Sequence, residues 1–209
     1  MTILVTGCFG FIGYNFLNFL DSKKINFIGV DSLVSNSSKI LYDRFASNEK
    51  IFIIDISDSS QLDKIKNYEI DAIVNFAAET HVDNSIFNPS SFINSNILGV
   101  TELLIFAKKN NIPNFVHIST DEVYGSTKNE FFIEESEFNP SSPYSASKAS
   151  AELICNSFFK TYGMNIKIIR PSNNYGPFQQ PEKLIPFSIA NLLNDKNIEI
   201  YAEGNQVRH

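Results

Sequence analysis

Two carboxylates stand side by side at Asp121 and Glu122, where the apolar, β-prone run NFVHIST (114–120) ends in HISTDEVYG. Like charges at adjacent positions repel, and burial raises the cost. A solvated turn is the plain explanation. In a dry site the same repulsion favours opposite protonation states, which makes a paired acid and base. A second set lies in YSASK, where Tyr144 and Lys148 are four apart at the start of a helical segment and share a face. A nearby ammonium stabilises phenolate and lowers a tyrosine pKa from about 10. Such a phenol could take a proton from an alcohol. Thr120 closes the preceding strand and could hydrogen-bond the same hydroxyl.

A third pattern is TGCFGFIG (6–13), with glycines at Gly7, Gly10 and Gly13 between a strand candidate and a helix candidate. Gly7 permits a tight turn, Gly10 lets backbone approach a pyrophosphate, and Gly13 lets the helix pack closely on the sheet. The helix N-terminus then offers free N–H groups to the phosphates. Asp31 closes the next strand candidate, where an acid binds the adenosine ribose. An acid there disfavours a 2′-phosphate, so the expected cofactor is NAD rather than NADP. DIS (55–57) ends a third strand, and NFAAET (75–80) a fourth, where the small Ala77 and Ala78 would let a cofactor lie against the backbone. Cys8, inside the glycine loop, reads as a small space-filling residue.

These residues need elements to place them. Strands are expected at 2–6, 26–31, 51–55, 71–77, 114–120, 165–170 and 198–202, all rich in Ile and Val. Near-continuous hydrophobicity marks parallel strands covered on both faces. Amphipathic segments at 11–23, 100–111 and 145–163 alternate with them. Repeated strand–helix–strand units give an α/β fold, a Rossmann-type doubly wound parallel sheet of about seven strands with helices on both faces. Every strand end named above then falls on one edge of the sheet.

Composition narrows the function. The chain has 209 residues, 43% hydrophobic and 19% charged, enough for a sizeable core. A net charge of −6 argues against nucleic acid or an anionic membrane as partner. Two cysteines without ligand spacing and three histidines make a zinc site improbable and suit a reducing compartment. No signal-peptide pattern and no bilayer-spanning run is read in the chain, so the expectation is a soluble, cytoplasmic protein.

The stretches TGCFGFIG, NFAAETHVDNSI, HISTDEVYG, SPYSASKASAE and SNNYGPFQQPEKLIP, in that order, resemble the extended short-chain dehydrogenase/reductase family and, within it, the dTDP-glucose 4,6-dehydratases. The resemblance implies a redox-neutral elimination on a nucleotide sugar. Tyr144 removes the C4 hydroxyl proton while hydride passes to NAD. Glu122 removes the C5 proton, Asp121 protonates the departing C6 hydroxyl, and hydride returns to C6. The 4-keto-6-deoxy product would feed deoxysugar synthesis, such as rhamnose for surface polysaccharide. The implied catalytic set is Thr120, Asp121, Glu122, Tyr144 and Lys148.

By the same matching, Gly7, Gly10, Phe11, Ile12, Gly13, Asp31, Ser32, Leu33, Val34, Asp55, Ile56, Phe76, Ala77, Ala78, Glu79, Thr80, Ser95, Tyr144, Lys148 and Asn174 fall where the family contacts NAD. Thr80, Thr120, Asn173, Lys183, Leu184, Tyr201 and Arg208 fall where it contacts the nucleotide sugar. His81 reads as a hydrogen-bonded structural residue near the site, because Tyr144 and Glu122 fill the basic roles. The family usually dimerises through two helices per subunit, here the segments around 90–110 and 145–162. It also carries a further C-terminal portion. Residues 1–209 are expected to form the NAD-binding domain, with the substrate-binding region beginning within 171–209 and the rest absent.

Three readings compete. The first is a nucleotide-sugar 4,6-dehydratase, with dTDP-glucose favoured over UDP-glucose. The second is an epimerase or decarboxylase on the same fold, in which small or apolar residues replace the acid pair. The third is a non-catalytic NAD-binding module, for which Thr120, Tyr144 and Lys148 would have no purpose.

Overall fold

The computed structural model describes residues 1–34, 36–127, 131–181 and 183–198. Six parallel strands form one sheet in the order β3-β2-β1-β4-β5-β6. They are β1 (Thr2–Thr6), β2 (Asn26–Asp31), β3 (Ile51–Ile53), β4 (Ala72–Asn75), β5 (Asn114–Ile118) and β6 (Asn165–Ile169). The order reverses between β1 and β4, and ligands bind such sheets at the crevice opened there by the strand C-termini. The first two strands match the sequence expectation to the residue, and the next four are one to three residues shorter. The seventh candidate, 198–202, lies outside the described residues except for Ile198.

Helices α1 (Phe11–Ser22), α2 (Asn36–Tyr42), α3 (Ser59–Leu62), α4 (Val82–Phe87), α5 (Pro89–Phe92), α6 (Gly99–Lys109), α7 (Pro143–Tyr162) and α8 (Leu184–Leu193) complete the described chain. A π-helical stretch, Ile93–Leu98, joins α5 to α6. Side chains alternate across the sheet, so β1 splits its core contributions between two faces. Ile3 and Val5 pack with Tyr14, Leu17 and Leu20 of α1. Leu4 packs with Leu103 and Leu104 of α6 and Ala151 and Cys155 of α7. The outer strands are less covered: Ile53 of β3 is exposed, and every residue of β6 is exposed or half-buried.

The sequence marked a helix only from 100. The continuous run begins at Pro89, because the π turn keeps Ile93–Leu98 helical while shifting the register of its buried face. Pro89–Lys109 is long and apolar enough, by length and composition, to cross a membrane, which corrects the expectation that no run was. Its apolarity has a local use, since Phe92, Val100, Leu103, Leu104, Phe106 and Ala107 are buried in the core. α8 contrasts with it. None of its residues is buried, and Leu184, Ile185, Ile189, Leu192 and Leu193 are exposed.

Candidate active site

A cleft of about 810 Å³ runs along the C-terminal edge of the sheet. Its β1 end is made by the glycine loop. Gly7 has φ +63°, and a Cβ there would lie 2.5 Å from the Ala77 nitrogen. A Cβ on Gly13 would lie 2.1 Å from the Gly7 carbonyl oxygen, so α1 reaches the loop only because residue 13 has no side chain. No side chain caps α1 at Gly10, which leaves its first N–H groups for a ligand. The Asp31 carboxylate accepts from Phe9 N (2.9 Å) and Leu33 N (2.9 Å), which fixes it at the end of β2. Burial nevertheless pushes its pKa above the usual carboxylate value. The bare backbone, uncapped helix end and acid at β2 suit a dinucleotide whose pyrophosphate meets α1 and whose ribose meets Asp31.

The opposite wall carries the acid–base groups. Thr120 caps a 3₁₀ turn, Asp121–Tyr124, by accepting from Glu122 N at 3.2 Å, and its hydroxyl lies 3.3 Å from Asp121 Oδ1. Tyr144 and Lys148 sit on the first turns of α7. That helix starts at Pro143 behind a reciprocal Ser142–Ser145 capping box and stops at Gly163 in the left-handed conformation. Lys148 is 2% exposed and donates to the Ile118 carbonyl at 2.7 Å. Desolvation brings its pKa down to about 8. The Tyr144 phenol is pushed up to about 12, by burial first and then by the Glu122 charge, against a hydrogen bond with Thr120 that lowers it. The sequence expectation was a lowered phenol. Burial and a neighbouring carboxylate reverse the sign, and neither is visible in the Tyr–Lys spacing.

Two buried polar networks hold this wall. Asn96, in the π stretch, accepts from Glu79 N (2.8 Å) and donates to Glu79 O (3.0 Å) and Ser147 Oγ (2.8 Å). Ser147 in turn donates to the Tyr144 carbonyl at 2.7 Å. The end of β4 and the phenol-bearing turn of α7 are thereby tied together. Under them, Thr6 Oγ1 donates to Asn75 Oδ1, so Asn75 Nδ2 donates to His117 Nδ1 at 3.1 Å. That assigns the His117 proton to Nε2. Burial, then the Lys148 charge, keeps this histidine well below its ordinary pKa.

Of the residues singled out on the cofactor side, all but Leu33 line the cleft, and so do Thr120, Glu122, Asn173, Lys183 and Leu184. Asp121 is half-buried beside the cleft rather than in its lining. Tyr201 and Arg208 lie outside the described residues. His81 also lines the cleft, and its Nδ1 is buried without a hydrogen-bond partner among the described residues, so the expected hydrogen-bonded role is not supported at that atom. Sequence reasoning passed over Asn96. Its only signal was an amide inside an apolar helical run, and the π turn that buries it leaves no mark in spacing.

The sequence profile of the NAD dependent epimerase/dehydratase family matches residues 3–209. A dTDP-glucose 4,6-dehydratase of Streptomyces antibioticus is 38% identical over the whole of this chain, which spans 64% of that relative's length. A dTDP-glucose 4,6-dehydratase structure from Bacillus anthracis, in complex with NAD, matches with TM-score 0.86 and 38% identity, covering 98% of this chain and 65% of that one. A UDP-glucose 4-epimerase structure from Thermotoga maritima, with UDP-glucose, matches with TM-score 0.90 and 27% identity, covering 98% and 67%.

Proposed function

The chain belongs to the NAD dependent epimerase/dehydratase family, and from that premise we propose that it carries the cofactor-binding and catalytic part of a nucleotide-sugar 4,6-dehydratase. dTDP-glucose is the favoured substrate, and UDP-glucose the alternative. The observation that carries the reading is the presence of Glu122 in the same cleft as Thr120 and Tyr144, close enough for its charge to raise the phenol's pKa. An epimerase, which only exchanges configuration at one carbon, needs no acid pair beside its phenol.

The bound NAD would supply the redox chemistry, taking a hydride from C4 of the sugar and returning it to C6. Gly7, Gly10 and Gly13 would admit it, the α1 N-terminus would meet its pyrophosphate, and Asp31 its ribose. Tyr144, hydrogen-bonded to Thr120, takes the C4 hydroxyl proton as its phenolate, a form that the nicotinamide cation of bound NAD would have to favour, because burial and Glu122 by themselves keep the phenol protonated. The C4 ketone acidifies the C5 proton, which Glu122 removes. Asp121 gives a proton to the C6 hydroxyl, which leaves as water. Glu122 then returns its proton to C5. Tyr144 ends protonated and Asp121 ionised, and exchange with solvent restores both.

Residues 171–198 begin the substrate-binding region in this reading, with Asn173, Lys183 and Leu184 at the cleft wall. Lys183 suits a diphosphate as a cation. The protein is read as a homodimer through the Pro89–Lys109 run and α7. The test is mass spectrometry of products after incubation with NAD and, separately, dTDP-glucose and UDP-glucose. Loss of one water from one of them supports the dehydratase and selects the nucleotide. Loss from neither removes the reading.

A further inference from the structure

Tyr144 rides on α7 and the acid pair on a separate 3₁₀ turn, so their relative placement depends on what joins the two. A partly buried ion pair does so. Glu152, one helical turn beyond Lys148, is 0% exposed. Arg170, the residue after β6, grips it with Nε at 3.0 and 2.9 Å from the two carboxylate oxygens and Nη2 at 2.6 Å from Oε2. The remaining nitrogen, Nη1, donates to the Tyr124 hydroxyl and, at 2.9 Å, to the Glu134 carbonyl. Tyr124 is the last residue of the turn that carries Asp121 and Glu122.

The same guanidinium lies 5.1 Å from the Tyr124 ring and 5.2 Å from the Phe138 ring. The neighbouring Pro171 carbonyl accepts from Asp121 N at 3.2 Å. Val123 and Tyr124 pack on Ala149 of α7 and on Phe138. The chain at 170–171 therefore holds both ends of the acidic turn and, through Glu152, the helix of the phenol. None of Glu152, Arg170 and Tyr124 lines the cleft.

We propose that Arg170, Glu152 and Tyr124 form a positioning clamp that sets the acid pair against the sugar and governs water loss rather than C4 oxidation. The division follows from anchoring. Lys148 is held by the Ile118 carbonyl and the Tyr144 backbone by Ser147 and Asn96, so the oxidising groups keep their places without the clamp. The far end of the acidic turn is tied to the body of α7 by the clamp and by its apolar contact with Ala149. A planar five-donor fork fixes direction as well as distance, which a lysine ammonium cannot do. The proposal rests on the 4,6-dehydratase reading above.

Tyr124→Phe, which removes one hydroxyl, and Arg170→Lys, which keeps the charge, test it on the purified protein. With the nucleotide sugar that the wild type dehydrates, both variants should lose about a hundredfold in the rate of water loss, the cost of a misplacement near one ångström. KM should stay unchanged, and the absorbance of reduced nicotinamide should accumulate. Equal losses of oxidation and elimination, or no loss of either, would overturn the clamp. Hydrogen–deuterium exchange gives a readout independent of turnover. The amides of Asp121 to Gly125 should exchange faster in both variants while those of β1 and β4 keep their protection. Loosening spread over the sheet, or none at the turn, would equally overturn it. A wild type that dehydrates neither sugar fails the functional reading alone, and the exchange measurement still decides the clamp.

Discussion

At the scale of single residues, the surroundings of Tyr144 and of Lys148 work against the charge of each. Glu122 is the assigned base at C5, so Glu122→Gln should abolish water loss and spare C4 oxidation. Product mass spectrometry alongside nicotinamide absorbance reads both, and intact water loss would remove the role. Lys148 gives a prediction about stability. Its pKa falls from 10.5 in the unfolded chain to about 8 in the fold. Between those values the unfolded chain binds a proton that the folded chain does not, so stability rises with pH in that window. Lys148 alone contributes about 1.4 kcal/mol per pH unit between the two values. The Tyr144 change, from 10 to about 12, acts in the opposite sense and only above pH 10, where the folded phenol keeps a proton that the unfolded one sheds and stability falls. Urea denaturation between pH 8 and 9, before the raised thiols of Cys8 and Cys155 begin to act in the opposite sense, should show wild-type stability rising relative to Lys148→Met. A difference between the two that does not change with pH there would mean that the ammonium is solvated.

At the scale of elements, geometry at two helix starts sets the site. The Ser142–Ser145 box fixes the first turn of α7, where Tyr144 sits. Ser142→Ala should cost about 1 kcal/mol by denaturant titration. It should also lower turnover by more than the stability loss accounts for, because fraying begins at the phenol. The start of α1 is less forgiving. Gly13→Ala places a methyl against the Gly7 carbonyl, where no flexible side chain can yield. Overpacking of this kind costs about 1–3 kcal/mol, and calorimetric titration should show weakened NAD binding as the loop shifts. The π stretch matters in the same way, since without its register shift Asn96 would not reach both the Glu79 backbone and Ser147.

At the scale of the whole molecule, the Pro89–Lys109 run and α7, like α8, carry apolar residues that the fold does not bury. Ile93 (56% exposed) and Ile105 (44%) lie on the Pro89–Lys109 run, and Leu153 (60%) and Phe159 (54%) on α7, which packs beside it. Pairing these two helices with their symmetry mates would cover them. Sedimentation velocity should therefore show a dimer, and Leu153→Glu should convert it to monomer with its secondary structure intact. A monomeric wild type would remove the homodimer from the functional reading.

Much of this molecule could be read from its residues in order. Apolar runs rich in Ile and Val located the six described strands, because parallel strands covered on both faces show burial as composition. The glycine loop, Asp31 and the Tyr144–Lys148 pair were legible because each depends on local geometry: a turn, a strand end, one helical turn. The direction of the Tyr144 pKa change was not legible, because it depends on Glu122 and on burial contributed by other elements. Nor were the ties of Asn96 to Glu79 and Ser147, or of Arg170 to Glu152 and Tyr124. Those partners are separated by 17 to 51 residues in the chain. The sequence by itself determined which groups could perform the chemistry and on which edge of the sheet they fall. Only the tertiary structure decided how they are held and charged, because hydrogen bonding and desolvation are set by neighbours in space.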